Sequence, residues 1–234
     1  MDDDLADVEP SPRDVREPPE PPHLLTVRAQ ILATEHWSLL GSRASTQSEV
    51  LTRISMFLTL VSAALVGIAL VGQATGFADQ FTLFTTTVLA VVAVVGVLTQ
   101  LRVVNAGMDD LMYVVAMNRL RGAYTELDPK VARVFMASPN DDLAGVQRTY
   151  YFLGRSRGGS QVAGSSMVFI VAVNAAVVGL LLAAIASGFG GSTALVATVG
   201  VGCALAYFGI SLWHGGRRFN AFWRSYSPLF PTED

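Results

Sequence analysis

Apolar residues run almost unbroken from Ile54 to Leu101 and again from Met167 to Trp213, while charged residues keep to the stretches before, between and after. In the first block the sole charge is Asp79, inside a glycine-containing break at Gly72–Gln80. The second block lies within Gly158–Gly216, which holds no Asp, Glu, Lys or Arg and is divided at Gly188–Thr193. A hydrocarbon layer about 30 Å thick is crossed by roughly 20 apolar residues, each adding 1.5 Å of helix. Four segments meet that length: Ile54–Val71, Phe81–Leu101, Met167–Ser187 and Thr193–Trp213. The pattern predicts an all-α integral membrane protein, with four transmembrane helices as two hairpins and cytoplasmic helical extensions.

Outside the spans the periodicity is helical. In His23–Arg43, Leu24, Val27, Ile31 and the Leu39/Leu40 pair recur near helical spacing among polar residues, which predicts an amphipathic helix over 23–48. A break is expected at Gly41–Ser48. Thr46-Gln47-Ser48-Glu49 fits a capping box opening the first membrane helix, with the first hairpin at 49–101. Past Leu101 no proline interrupts the apolar spacing, so the second helix is expected to continue to about Leu127 within a cytoplasmic helical segment, 102–157. Asp128-Pro129 reads as an N-cap and first-turn proline opening a short helix, PKVARVFM. Ser138-Pro139 repeats that signal, with Asp141 and Asp142 in the first turn, where the helix dipole favours acids. The second hairpin is expected at 158–216 and a cytoplasmic tail at 217–234. Trp213, Phe222, Trp223 and Tyr226 are expected at the inner membrane interface.

Composition changes this picture mainly through charge. Of the 234 residues 51% are hydrophobic, an ordinary share, but only 15% are charged and the mean hydropathy is +0.44. Residues 1–22 hold eight acids, two arginines and six of the ten prolines, which predicts a disordered acidic, Pro-rich tail. That tail accounts for the net charge of −3; the remainder of the chain is basic. All sixteen Lys and Arg residues lie before Ile54, between Arg102 and Arg157, or after Gly216. By the positive-inside rule both termini and the middle segment are cytoplasmic, with Arg53, Arg102, Arg157 and Arg217 as the flanking charges that set orientation. The expected location is the plasma (inner) membrane.

Candidate chemistry is sparse. Cys203 stands alone in a span and reads as an apolar filler. His23, His36 and His214 lack metal-ligand spacing, so no metal or cofactor is expected. Glu35-His36 and Asp141-Asp142 resemble catalytic or metal-binding pairs, but adjacent residues on a helix do not face each other. No catalytic residue is assigned, and the expectation is a non-enzyme. Thr85-Thr86-Thr87 point in different directions on a helix, which favours packing over a polar path. Asn174 is the strongly polar side chain within the third span and reads as interhelical glue. Ala63 and Gly67 form a small-xxx-small pair for close helix approach. At an offset of 112 residues Ala175 and Gly179 match them, Phe57 matches Phe169, and Thr75-Gly76-Phe77 matches Ser187-Gly188-Phe189. These matches predict a duplicated hairpin with parallel repeats.

HWSLLGSR, followed by TRISMFLTLVSAALVGIALV and later MNRLRGAYTEL, resembles bacterial multi-pass membrane proteins carried as uncharacterised. The likeness covers about residues 24–222 and implies no activity. In layout, a cytoplasmic helix, a membrane hairpin and a second cytoplasmic helix are similar to the SLATT-type two-helix membrane effectors of bacterial defence systems, which implies membrane perturbation triggered by a linked sensor. The second hairpin departs from that pattern, and no residue motif carries over. The leading expectation is an assembly or signalling component; the alternative is an oligomeric channel or membrane-perturbing effector. Expected partners are the lipid bilayer, further copies in a homo-oligomer and a cytoplasmic protein, with no nucleic acid.

Overall fold

The structure, a computed structural model, describes residues 21–77, 79–154 and 164–232. The acidic tail up to residue 20 and Arg157 lie outside them. The described residues form five α-helices, one 3₁₀ turn and no strand. The helices are α1 (Pro22–Thr75), α2 (Asp79–Leu127), α3 (Leu143–Tyr150), α4 (Ser166–Gly188) and α5 (Thr193–Ser225); the 3₁₀ turn is Pro129–Arg133. Four of them, α1, α2, α4 and α5, are long and apolar enough to cross a membrane.

Local signals fix most helix ends. Pro22 opens α1 at a position where its missing N–H costs nothing. Gly76 closes it in the left-handed region at φ 59°, and Phe77 follows at φ 60°. The Phe77 ring stands edge-on to Phe81, with centroids 5.1 Å apart, and lies across Gly72, where a Cβ would meet Phe77 Cε1 at 2.6 Å. Asp128 accepts from Lys130 N at 2.9 Å to start the 3₁₀ turn. Ser165 and Ser192 cap α4 and α5 by accepting from Val168 N and Leu195 N, each at 3.3 Å.

Three elements differ from the sequence expectation. No break divides 23–48 from 49–101: α1 is continuous for 54 residues, about 80 Å at 1.5 Å per residue. Thr46 caps nothing, because Gln47 and Glu49 bind side chains on α2 instead (Asp110 and Arg102), and those tertiary partners outweigh the local stop signal. The helix after Pro129 shrinks to a five-residue 3₁₀ turn, and the next helix starts only at Leu143, with Asp142 as its cap. Asp141 therefore lies outside the first turn. Finally, α5 does not stop at residue 216 but runs to Ser225, so the first nine residues of the expected tail are helical.

Packing is sequential, with α1 against α2, α2 against α4, and α4 against α5. One apolar core lies in the spans, where Ile54 and Phe57 of α1 meet Val92 and Ala93 of α2 and Ile170, Val171 and Val177 of α4. A second core lies at the polar end, where Leu111, Val114, Val115 and Met117 of α2 meet Val146 of α3. Phe222, Trp223 and Tyr226, at the end of α5 and just past it, pack on this second core. Trp213 is exposed beneath the Arg217 guanidinium, 4.7 Å from its ring centroid. In the apolar part of α5 Gly200 is the buried residue among those described, and Val201, Leu205 and Ile210 are over 60% exposed, as side chains facing lipid are.

Candidate functional site

The polar side chains that hold this bundle together are strung along α2 in three layers. The innermost lies within the spans. Gln100 Oε1 accepts from Asn174 Nδ2 at 3.0 Å and from the Tyr207 hydroxyl at 2.9 Å, and its amide donates to Ser211 Oγ at 3.2 Å. This joins α2 to both helices of the second hairpin. Asn174 is fully buried, and its Oδ1, which has no hydrogen-bond partner, rests against Gly96. Only a glycine leaves room there: a Cβ at position 96 would collide with Asn174 Oδ1 and come within 2.7 Å of Phe57 Cζ. A Cα–H···O contact is all that such a position offers the amide oxygen.

The second layer links α2 to α1. Arg102 donates to both oxygens of Glu49, at 3.2 and 2.7 Å, and reaches Asp109 at 3.4 Å. Arg53 donates to Glu49 at 2.9 Å from one turn along α1. These bonds, that of Arg102 foremost, hold the Glu49 carboxyl at about 2. One step further out, Asp110 accepts from Arg43 (2.6 Å), Gln47 (2.9 Å) and the Tyr150 hydroxyl (2.7 Å). Burial by itself would raise the Asp110 pKa; the bonds from Arg43, Tyr150 and Gln47 outweigh it and hold the carboxyl below its ordinary value.

The third layer fastens the chain terminus. Asp141 is completely buried. Its carboxylate accepts from Arg119 Nε (2.9 Å), the Tyr226 hydroxyl (2.6 Å), Leu229 N (3.1 Å) and Phe230 N (2.8 Å). Its own N–H donates to Phe230 O at 3.1 Å. Asp142 accepts from both Thr232 N (2.7 Å) and Thr232 Oγ1 (3.0 Å) while it caps α3 through Gly145 N (2.7 Å). The Phe230 ring fills the space over Gly122. Burial works against both carboxylates, but their hydrogen bonds win and lower both pKa values; the Tyr226 phenol is pushed up to about 12 by burial and by Asp141.

Of the expected packing residues, Asn174, Ala175 and Gly179 are buried at helix contacts. Gly179 faces Gly200 O, 2.6 Å from where a Cβ would be, so α4 and α5 cross closely there. Ala63 is exposed, and among the described residues nothing lies within 4 Å of a Cβ position on Gly67. The repeat pairs thus occupy unlike environments: Gly67 is open and Gly179 tight, Phe57 is 1% exposed and Phe169 47%. Arg53 and Arg102 converge on Glu49, whereas Arg217 stacks on Trp213. Thr85 is buried and Thr87 bonds back to Leu83 O at 2.8 Å, so the three threonines share no path. Sequence reasoning missed Gln100, Tyr207, Ser211, Asp110 and the C-terminal strap. Gln100 sits where the apolar run ends and looks like an interface residue; Asp110 and Asp141 have partners 22 to 89 residues away.

Among the described residues no group of three or more His, Cys, Asp or Glu could hold a metal. The arrangement joins helices: its carboxylates and guanidinium groups are turned onto one another. No family model, curated protein or solved structure matches the chain. What stands is an all-α protein with four helices able to span a membrane and an extended polar end.

Proposed function

We propose that this is a non-enzymatic multi-pass protein of the plasma (inner) membrane, with both termini and the middle segment in the cytoplasm, that assembles with further copies and couples its cytoplasmic helices to its membrane hairpins. The observation that carries this reading is the continuity of α1 and α2, which pass unbroken from the spans into the polar end and are cross-linked there through Glu49–Arg102 and Asp110–Arg43. A displacement imposed on the polar end by a protein partner is then transmitted to the spans along stiff helices. Assembly is supported by Ala63 and Gly67, a small pair with an open face that a second copy can approach closely. The hydrogen bonding of Gln100, Asn174, Tyr207 and Ser211 among themselves favours a scaffold over a channel lining.

The test uses the full chain in nanodiscs, with Cys203 replaced and spin labels at the exposed positions Leu98 and Leu205. Asp110→Ala, far from both labels, is expected to shift or broaden their distance distribution. An unchanged distribution refutes coupling. The mass of the same particles is expected to be a multiple of the chain mass; a single chain at every protein concentration refutes assembly.

A further inference from the structure

At the polar end a cavity of about 420 Å³ opens between α1, α2 and the segment around the 3₁₀ turn. Small-molecule sites fall at about 300–1,000 Å³, mostly apolar with a few placed polar groups. This one has apolar walls from Val114, Met117, Val134, Phe135 and Met136, and among the described residues its charged lining is Arg43 and Arg121. Arg43 is neutralised by Asp110 at 2.6 Å. Arg121 is not: it donates to the neutral Asn118 Oδ1 at 2.7 Å, and among the described residues no carboxylate lies within ion-pair distance of it. Asn118 Oδ1 is committed as well, because Thr149 Oγ1 donates to it at 2.8 Å. The cavity therefore holds one uncompensated positive charge on a half-buried guanidinium.

That charge is felt by its neighbours. Burial, and then Arg43 nearby, push the Arg121 guanidinium below the ordinary arginine range, and burial together with Arg121 lowers the His36 pKa. A cation kept partly desolvated beside another cation is unfavourable, and an anion in the cavity relieves it. Elsewhere in the polar end Arg102 and Arg119 each have a carboxylate. Arg121 is twenty residues beyond Leu101 on α2, about 30 Å along the axis, which puts the cavity out of reach of lipid headgroups.

We propose that this cavity binds a soluble small molecule with one carboxylate or phosphate and a compact apolar body, the anion on Arg121 and the body against Met117, Phe135 and Met136. The guanidinium fork suits both anions because each presents two oxygens to two N–H groups. This site is independent of the assembly reading, since every group in it comes from one chain.

The test measures binding of phenyl phosphate, benzoate and neutral benzyl alcohol to the full chain in phosphatidylcholine nanodiscs, with empty nanodiscs as the blank. Both anions are expected to bind, and benzyl alcohol at least about tenfold more weakly, as a lost charge-assisted bond implies. Arg121→Gln is expected to lose at least about tenfold in affinity for phenyl phosphate, and Arg121→Lys to recover part of it. Val134→Trp, at a wall residue that is 73% exposed and belongs to neither core, adds bulk at the cavity wall and is expected to abolish binding even if Arg121→Gln fails to fold. Absence of anion binding to the unmodified protein overturns the proposal, as does binding to Val134→Trp equal to that of the unmodified protein. Equal affinity for benzyl alcohol and phenyl phosphate overturns the role of Arg121.

Discussion

Replacing Asp141 by Asn changes almost no volume and removes the charge that holds the C-terminal strap. The carboxylate takes four donors: Arg119, Tyr226 and Leu229 N on Oδ2, and Phe230 N on Oδ1. An amide offers one acceptor oxygen. With that oxygen toward the Oδ2 group, its NH₂ faces the Phe230 N–H, and a buried backbone donor is left unmatched at a cost of about 1–3 kcal/mol. The remaining bonds lose their charge assistance, costing about 1 kcal/mol more. The Arg119 side chain is 43% exposed, so solvent screens the ion pair itself and it adds little. The total of about 3 kcal/mol corresponds to roughly a hundredfold shift in the opening equilibrium of the strap. Hydrogen exchange on the protein in nanodiscs reads this directly. The Leu229 and Phe230 amides are expected to exchange about a hundredfold faster in Asp141→Asn, while amides around Phe57, packed in the other core, keep their rates. Strap amides that exchange at the same rate in both proteins would refute the assignment of Asp141 as the anchor.

Acid acts on the same layer and on the α1–α2 clamp together. Glu49, Asp110, Asp141 and Asp142 have folded pKa values below their unfolded ones, so their contribution is fully present above about pH 4 and is lost as pH falls through the folded values. Exchange at Leu229 and Phe230 is expected to accelerate below about pH 4 beyond the intrinsic pH effect, and a protection factor constant down to pH 3 would contradict the sign. In the spans, Gly96→Ala drives a methyl into Asn174 Oδ1 and Phe57, and is expected to destabilise by about 1–3 kcal/mol in an unfolding titration. Asn174→Leu removes the bond to Gln100 and is expected to cost about 0.6–2 kcal/mol in the same assay; neutrality of both would refute the polar joint. A reporter enzyme inserted after Asp79 is expected to behave as extracytoplasmic, and cytoplasmic activity would reverse the proposed orientation.

The spans were legible in the sequence because hydrocarbon thickness demands a run of apolar residues that little else produces. The overrun of α2 to Leu127 was legible for a similar reason, since nothing between Leu101 and Asp128 stops a helix. The turn at Asp128-Pro129 was legible because its cap is local. What was not legible depended on partners far along the chain. Thr46-Gln47-Ser48-Glu49 carries a valid capping signal, yet Gln47 and Glu49 gain more from Asp110 and Arg102, 63 and 53 residues away, than a new helix start would give. Asp141 and Asp142 looked like dipole complements because the tail residues they hold, Leu229 to Thr232, are 88 to 90 residues downstream. Ala63-x-x-x-Gly67 and its counterpart at Ala175 and Gly179 are the same motif, and among the described residues the second packs against another helix while the first stays open. Spacing shows that close approach is allowed; it cannot show which helix arrives.

The layers along α2 also constrain how the two halves of the molecule move. Gln100 and Asn118 are eighteen residues apart, five helical turns, so they share one face of α2. Gln100 on that face binds the second hairpin, and Asn118 binds Asn140 O (2.8 Å) and Thr149 at the polar end. Arg102, on a different face, bridges Asp109, about two turns further along α2, and Glu49 of α1. Turning α2 by a single residue step, about 100°, moves every one of these groups off its partner at once. The helix therefore has little freedom to rotate locally, and a change at either end must either displace it as a rod or break several charged and buried bonds together. That stiffness gives the labels at Leu98 and Leu205 a reason to respond to a substitution at Asp110.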